Sequence, residues 1–373
     1  MFLLSVGLLA SRPALAVDLP NLDGVPIKTG AASANDAAIV IGIEDYLRVP
    51  DVPGATADAK LVRDFLVYTR GIPPARVRML TTGTSREVML GALQDMGGQV
   101  GPGGTLWFYF AGHGGASPSG ERLLLGDDVP SVPEALQARS VLMSEVKKYA
   151  VSGGGQLMVV VDACFNGSTR TGGSVIESGT RFVVPQAAVV AQKGIAEWSA
   201  ASPQQLARPL PNGGHGAFTY FWVGSGRGWA DGQLDGKRDG NVTAEEAHEY
   251  IAQALASVGI TQQTPSLTTD APKTWMLAKG AKEVGPDFAV AIVVPEPQPA
   301  YVPVGTASVN TGGAMDFAAL AAEAARADAD AKAAAERAER SKRALESERE
   351  KRLEDARSPL LTKATRAWSA VPP

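Results

Sequence analysis

The sequence predicts an α/β fold: a mostly parallel sheet flanked by helices, followed by a helical C-terminal tail. Three apolar runs of strand length carry the sheet: Ala37 to Ile43 (AAIVIGI), Thr105 to Ala111 (TLWFYFA) and Gln156 to Val161 (QLMVVV). Uninterrupted apolar runs of this length, bounded by polar or glycine-rich residues, read as strands buried on both faces. Between them lie segments with helical spacing. Strands that alternate with helices need right-handed crossovers, which place the strands parallel.

The elements follow in order. After the first strand, Ala57 to Tyr68 sets Ala57, Leu61, Phe65 and Tyr68 at helical intervals. Val77 to Leu80 is a short strand. Arg86 to Val100 is a second helix with Val88, Leu90, Leu93 and Met96 as its apolar side, and Val141 to Tyr149 is a third. Beyond the fourth strand, Gly167 to Gly173 and Glu177 to Thr180 read as mobile loop. Ile195 to Ala201 is another strand, and Ala217 to Val223 opens a helix. Thr243 to Ala256 is a helix announced by its cap, with Thr243 at the N-cap and Glu246 three residues later as its capping-box partner.

This organisation gives a globular domain over residues 36–280, then a proline-rich linker over 284–313 centred on VPEPQPAYVPV. Residues 314–357 form a charged, alanine-rich helix in which Glu336/Arg340, Glu339/Arg343 and Glu348/Arg352 stand one turn apart. Large apolar residues are sparse there, so it reads as a solvated helix or as a weak coiled coil offered to a protein partner. Residues 358–373 form a tail that reads as the start of a truncated module. At the other end, Met1 to Ala16 (MFLLSVGLLASRPALA) has the apolar run and the small-x-small triplet of an export signal, too short to span a bilayer. The alternative is a buried N-terminal strand. An exported protein, periplasmic or secreted, is expected.

The 373 residues carry a formal net charge of -4, which offers no basic footprint for nucleic acid. The single cysteine, Cys164, excludes an intrachain disulfide. A lone thiol in an oxidising compartment is a liability unless it is buried or needed.

Two strand ends carry chemistry. The third strand runs into Gly112-His113-Gly114-Gly115 and the fourth into Asp162-Ala163-Cys164-Phe165-Asn166-Gly167. In a parallel sheet both ends lie on the carboxyl edge, where open α/β folds place their sites. His113 and Cys164 can therefore meet although about fifty residues separate them. An imidazole beside a thiol can take its proton on attack and return one to a leaving amine. The N–H groups of Gly114 and Cys164 are placed to bind a developing oxyanion. Such chemistry needs a peptide or protein substrate and no cofactor. His215 also precedes a glycine, but it follows a turn rather than a buried strand and reads as structural. His248 reads as solvated on its helix.

These motifs, FYFAGHGG and VVVDACFNG together with the opening IVIGIEDY…PGATADAK, resemble the caspase-like cysteine peptidases, in particular the metacaspase and bacterial caspase-like branch. The resemblance runs from Ala37 to Leu277. It implies a caspase-like fold, a His113–Cys164 dyad and an oxyanion hole at Gly114 and Cys164. Asp162 stands two residues before the nucleophile, and Asp58 matches the second acidic residue of the metacaspase specificity pocket. Two carboxylates can hold a guanidinium or an ammonium, so cleavage after arginine or lysine is implied. The pocket serine of that family is Ala111 here, which leaves arginine against lysine open. A legumain-like or gingipain-like peptidase of the same fold, and a silent caspase-like envelope scaffold, are the alternatives. Arg170 and Arg181, in the glycine-rich stretch after Cys164, are candidate self-cleavage sites.

A second stretch, from Asp235 to Glu246, follows the register of a calcium-binding loop. Asp235, Asp239, Asn241 and Glu246 supply oxygen, and Gly240 occupies the turn position. Lys237 occupies a position where a ligand oxygen is expected. The alternative is an Asp-Gly turn that caps the next helix.

Overall fold

In the computed structural model the chain divides into two units, Met1–Pro295 and Glu296–Pro373. The structure describes residues 18–288 except 118, 152–154, 168, 171, 173, 174, 176–188 and 212. The expected export signal, most of the linker, the charged helix, the tail and Arg181 lie outside the described residues.

Six strands form the main sheet: β1 (Ala37–Gly42), β2 (Val77–Leu80), β3 (Thr105–Ala111), β7 (Gln156–Asp162), β8 (Ile195–Ser199) and β10 (Ser266–Thr268). The order is β10-β8-β7-β3-β1-β2, with every neighbouring pair parallel except β10 on β8. All residues of β1 and β3 are buried. This is why these strands read as continuous apolar runs: helices cover both faces, so no position points to water. Deleting a large side chain there, such as Phe108, costs about 3–5 kcal/mol.

The covering helices are α1 (Ala55–Asp64), α2 (Arg86–Gly97), α3 (Pro133–Arg139), α4 (Met143–Val151), α5 (Ala217–Gly224) and α6 (Ala244–Ser257). A π turn, Phe65–Thr69, extends α1. α6 carries the expected capping box between Thr243 and Glu246. α5 is buried at all eight positions, so it is an interior helix with no amphipathic face.

Two smaller sheets complete the fold: β4 (Gly114–Ala116), β5 (Arg122–Leu125) and β6 (Ser140–Leu142) in the order β4-β5-β6, and β9 (Asn241–Thr243) paired with β11 (Met276–Lys279). The sheet corrects the expectation of a helix from Val141. Val141 pairs with Leu124, and the helix starts two residues later at Met143. Tertiary pairing overrides local periodicity there. On α2 the buried side is Met89, Ala92, Leu93, Met96 and Gly97, while Val88 is exposed. The stripe is turned by about one residue from the expected one.

Candidate active site

His113 and Cys164 occupy equivalent places on neighbouring strands. Ala111 of β3 pairs with Asp162 of β7, and each chemistry-bearing residue stands two positions further on. The parallel register alone therefore brings the two strand ends side by side on the carboxyl edge. Gly114 closes the approach. A Cβ added there would stand 2.9 Å from the Cys164 carbonyl oxygen and 2.9 Å from the Phe165 ring, so only glycine fits. The two groups expected to line an oxyanion hole are thus adjacent.

His113 is held by residues after β1. Its backbone N–H donates to the Tyr46 hydroxyl at 2.8 Å, and the two rings lie 4.8 Å apart. Its Nε2 is 2.6 Å from the Pro50 carbonyl oxygen. A carbonyl only accepts, so Nε2 carries the proton and Nδ1 is left as the free base. Burial pushes the His113 pKa down to about 4, against the opposing pull of that carbonyl. Burial also pushes the Cys164 thiol up to about 11, although its Sγ accepts the Ala207 N–H at 3.2 Å. At neutral pH the pair is a neutral imidazole and a neutral thiol. Such a pair attacks with general-base help rather than as a standing thiolate.

The two carboxylates implied by the resemblance converge. Asp58 lies in the first turn of α1 and Asp162 ends β7, and both are fully buried. Asp58 is therefore no solvated first-turn residue. Its carboxylate accepts the Gly216 N–H at 3.0 and 3.1 Å and faces His215 Nδ1 at 2.9 Å. Asp162 Oδ2 accepts from the Thr219 hydroxyl at 2.6 Å and from the Thr219 N–H at 3.3 Å. Arg170 reaches both, with its guanidinium 3.3 Å from Asp58 Oδ2 and 3.3 Å from Asp162 Oδ1. Burial raises the Asp58 pKa, with His215 and Arg170 pulling the other way.

His215, read from the sequence as structural, packs directly against this acidic pair through its contact with Asp58. Its Nε2 lies 3.2 Å from Asp23 Oδ1. Burial lowers its pKa, but the two aspartates outweigh burial and raise it. Gly216 lies against the two carboxylates, where an added Cβ would collide with Asp162 Oδ2. Tyr46, Pro50, His215 and Gly216 come from segments remote in sequence; Tyr46 closes the IVIGIEDY motif and His215 stands out beside its glycine, but nothing local indicates the partners they meet.

The loop from Asp235 to Glu246 lies apart from this site and lines a cleft of its own. Asp235 accepts the Lys237 N–H, Asp239 accepts the Asn241 N–H, and Glu246 accepts from the Thr243 N–H and hydroxyl. These oxygens serve turns and the cap of α6. Among the described residues no three His, Cys, Asp or Glu side chains are grouped to hold a metal ion. A polar cleft of about 600 Å³ between Thr29 and Asp36, Arg70 and Gly280 contains none of the chemistry-bearing residues. His248 is not simply solvated: its ring lies 5.9 Å from that of Trp198. Among the described residues no helix is long and apolar enough to cross a membrane.

A mostly parallel sheet with a histidine and a cysteine at adjacent strand ends defines a caspase-like α/β protein. The sequence comparison agrees: residues 35–277 match the caspase domain of the C14 peptidases, and the chain belongs to that family. Among solved structures, a protein from Geobacter sulfurreducens is 16% identical (TM-score 0.46), covering 65% of this chain and 98% of its own. Caspase-1 from Spodoptera frugiperda is 13% identical (TM-score 0.43), covering 71% of this chain and 100% of its own. A structure of pro-sf-caspase-1 is 11% identical (TM-score 0.41), covering 67% and 97% respectively. A search of the curated proteins gave no match.

Proposed function

We propose that the chain is a cysteine endopeptidase that cuts peptide bonds after arginine or lysine, with His113 and Cys164 as its dyad. The observation that carries the specificity is the pair of buried carboxylates, Asp58 and Asp162, already holding a guanidinium. A pocket with this charge repels an acidic side chain and accepts a basic one.

The placement of the two strand ends supports a two-step acyl transfer. Nδ1 of His113 takes the thiol proton as Cys164 Sγ attacks the scissile carbonyl carbon. The N–H groups of Gly114 and Cys164 bind the oxyanion. Collapse breaks the C–N bond, His113 returns the proton to the departing amine, and a thioester remains. Water, deprotonated by the same nitrogen, then adds to the thioester. The acid leaves and the thiol reforms. Pro50 keeps the imidazole in the required tautomer throughout. The export signal and the charged helix expected from the sequence support the reading of an exported enzyme with a protein partner.

Burial of Cys164 under the Ala207 N–H favours a second reading, a silent scaffold. One assay separates the two. Purified protein is offered fluorogenic peptides ending in arginine, lysine, aspartate or asparagine, with and without calcium. Arginyl and lysyl peptides are expected to turn over, and Cys164→Ala and His113→Ala each to lose at least about a hundredfold in kcat/KM. Activity within tenfold of wild type in either variant refutes the dyad. Preference for aspartyl peptides refutes the pocket.

A further inference from the structure

We infer that Arg170 is a tethered occupant of the basic-residue pocket, which keeps the resting protein closed and leaves before a substrate side chain enters. The inference rests on the reading of Asp58 and Asp162 as that pocket, and adds how the pocket is regulated.

Three observations carry it. The first is where the cation comes from. Arg170 is 6% exposed and sits between both carboxylates, yet it belongs to neither a strand nor a helix. It follows the nucleophile by six positions and lies between Gly167 and Gly172, both with positive φ (72° and 92°). Glycines in that region let a short tether change direction without strain.

The second is that the pocket is built without it. Asp58 is fixed by the Gly216 N–H and His215, and Asp162 by Thr219. These partners hold both carboxylates in place whether or not a guanidinium is present. Arg170 supplies charge rather than shape. Two buried carboxylates without a cation carry a large desolvation cost, so the pocket demands an occupant. A substrate arginine or lysine meets the same demand.

The third is the looseness of the fit. The Arg170 guanidinium approaches its carboxylates at 3.3, 3.4 and 3.3 Å. Charge-assisted pairs normally close to about 2.7–2.9 Å, as Arg86 and Glu145 do here with two contacts of 2.7 Å. Nε of Arg170 is buried without a hydrogen-bond partner among the described residues, and Oδ1 of Asp162 has the 3.3 Å ion pair with Arg170 but no hydrogen bond. A guanidinium that fits this poorly is an exchangeable ligand. It stays because its tether gives it a high effective concentration. Arg170 and a substrate side chain cannot be accommodated together, since Gly216 already lies against the arginine: an added Cβ there would be 3.1 Å from Nη2.

The test compares wild type with Arg170→Ala and Arg170→Lys, using two readouts. The first is binding of agmatine, a free guanidinium on a short alkyl chain, to the inactive Cys164→Ala form by thermal shift. Agmatine is expected to raise the Tm of the protein lacking Arg170 and to leave that of the protein retaining it unmoved. The second is KM for arginyl peptides, expected to fall by about tenfold or more in Arg170→Ala with kcat little changed. Arg170→Lys keeps the charge with a weaker fork and should give an intermediate KM, which keeps the inference falsifiable if the alanine variant does not fold. An unchanged or higher KM in either variant, or equal agmatine binding with and without Arg170, overturns the inference and leaves the peptidase reading standing. Agmatine binding only when Arg170 is absent, with no basic peptide cut by any form, supports the occupancy and overturns the peptidase reading.

Discussion

Glu197 on β8 and the Asp58–Asp162 pair are both buried acidic centres answered by arginine, and they are built in opposite ways. At Glu197 two cations serve one carboxylate, Arg122 from β5 and Lys147 from α4, and all three groups stand on regular elements. Arg122 also donates to the Ser199 hydroxyl and lies over the Phe165 ring at 5.2 Å, so the cluster braces the residue next to Cys164. At the other centre two carboxylates share one arginine that lies in no strand or helix, and Asp58 also faces His215. A centre whose ions are all locked into sheet and helix is part of the framework. A centre whose anions are locked but whose cation lies outside sheet and helix is, on the function proposed above, a binding site with its ligand supplied in advance. Burial alone does not distinguish them; the location of the cation does.

The comparison breaks first at Asp162. Replacing Asp162 by Asn keeps the side chain's size and its contact with Thr219 but removes one of the two charges. We expect kcat/KM for arginyl peptides to drop by about a hundredfold or more, equivalent to roughly 3 kcal/mol, because a cation then enters the pocket half neutralised. Steady-state kinetics on matched arginyl and neutral peptides checks it. An equal loss on both would mean that Asp162 supports the fold rather than the pocket.

Glu197→Gln should do the reverse. It leaves Arg122 and Lys147 without a countercharge, and stability should fall by about 2–3 kcal/mol, read as a lower urea midpoint with an unchanged slope. The ratio of arginyl to aspartyl turnover in the folded fraction should not move. A changed ratio would make this cluster part of the recognition site.

The same contrast explains what the sequence could reveal. The framework was legible because burial on both faces writes itself as uninterrupted apolar runs in β1 and β3, and because the Thr243–Glu246 cap is a local pattern. His113, Cys164, Asp58 and Asp162 were legible by motif and by their places at strand ends and in a helix's first turn. Val141 was misjudged because its strand exists only through pairing with β5. His215 and Gly216 reach Asp58 across more than 150 residues. From the sequence Arg170 stands out only for its charge near the nucleophile, as a candidate cleavage site. That its guanidinium enters the acidic pocket is a property of the folded chain, invisible to any window of sequence.

The smallest expected effect separates the two buried histidines by the sign of their pH dependence. His113 is held neutral, with a folded pKa of about 4 against an ordinary value of 6.5. Above pH 6.5 neither the folded nor the unfolded chain protonates it, and the histidine costs nothing. As pH falls from 6.5 towards 4 the unfolded chain takes up a proton that the folded one refuses, and stability is lost. His215 is raised instead, because Asp58 and Asp23 favour its charged form more than burial opposes it. Its contribution is fully present below pH 6.5 and is lost as pH rises through the folded value. Urea midpoints of wild type, His113→Gln and His215→Asn between pH 5 and 8 should therefore diverge. Relative to wild type, His113→Gln should gain on acidification, by about 0.7 kcal/mol between pH 7 and 6, while His215→Asn should lose. Parallel curves for the two variants would mean that His215 is not charged against Asp58, and that the cation in the acidic pocket is Arg170 alone.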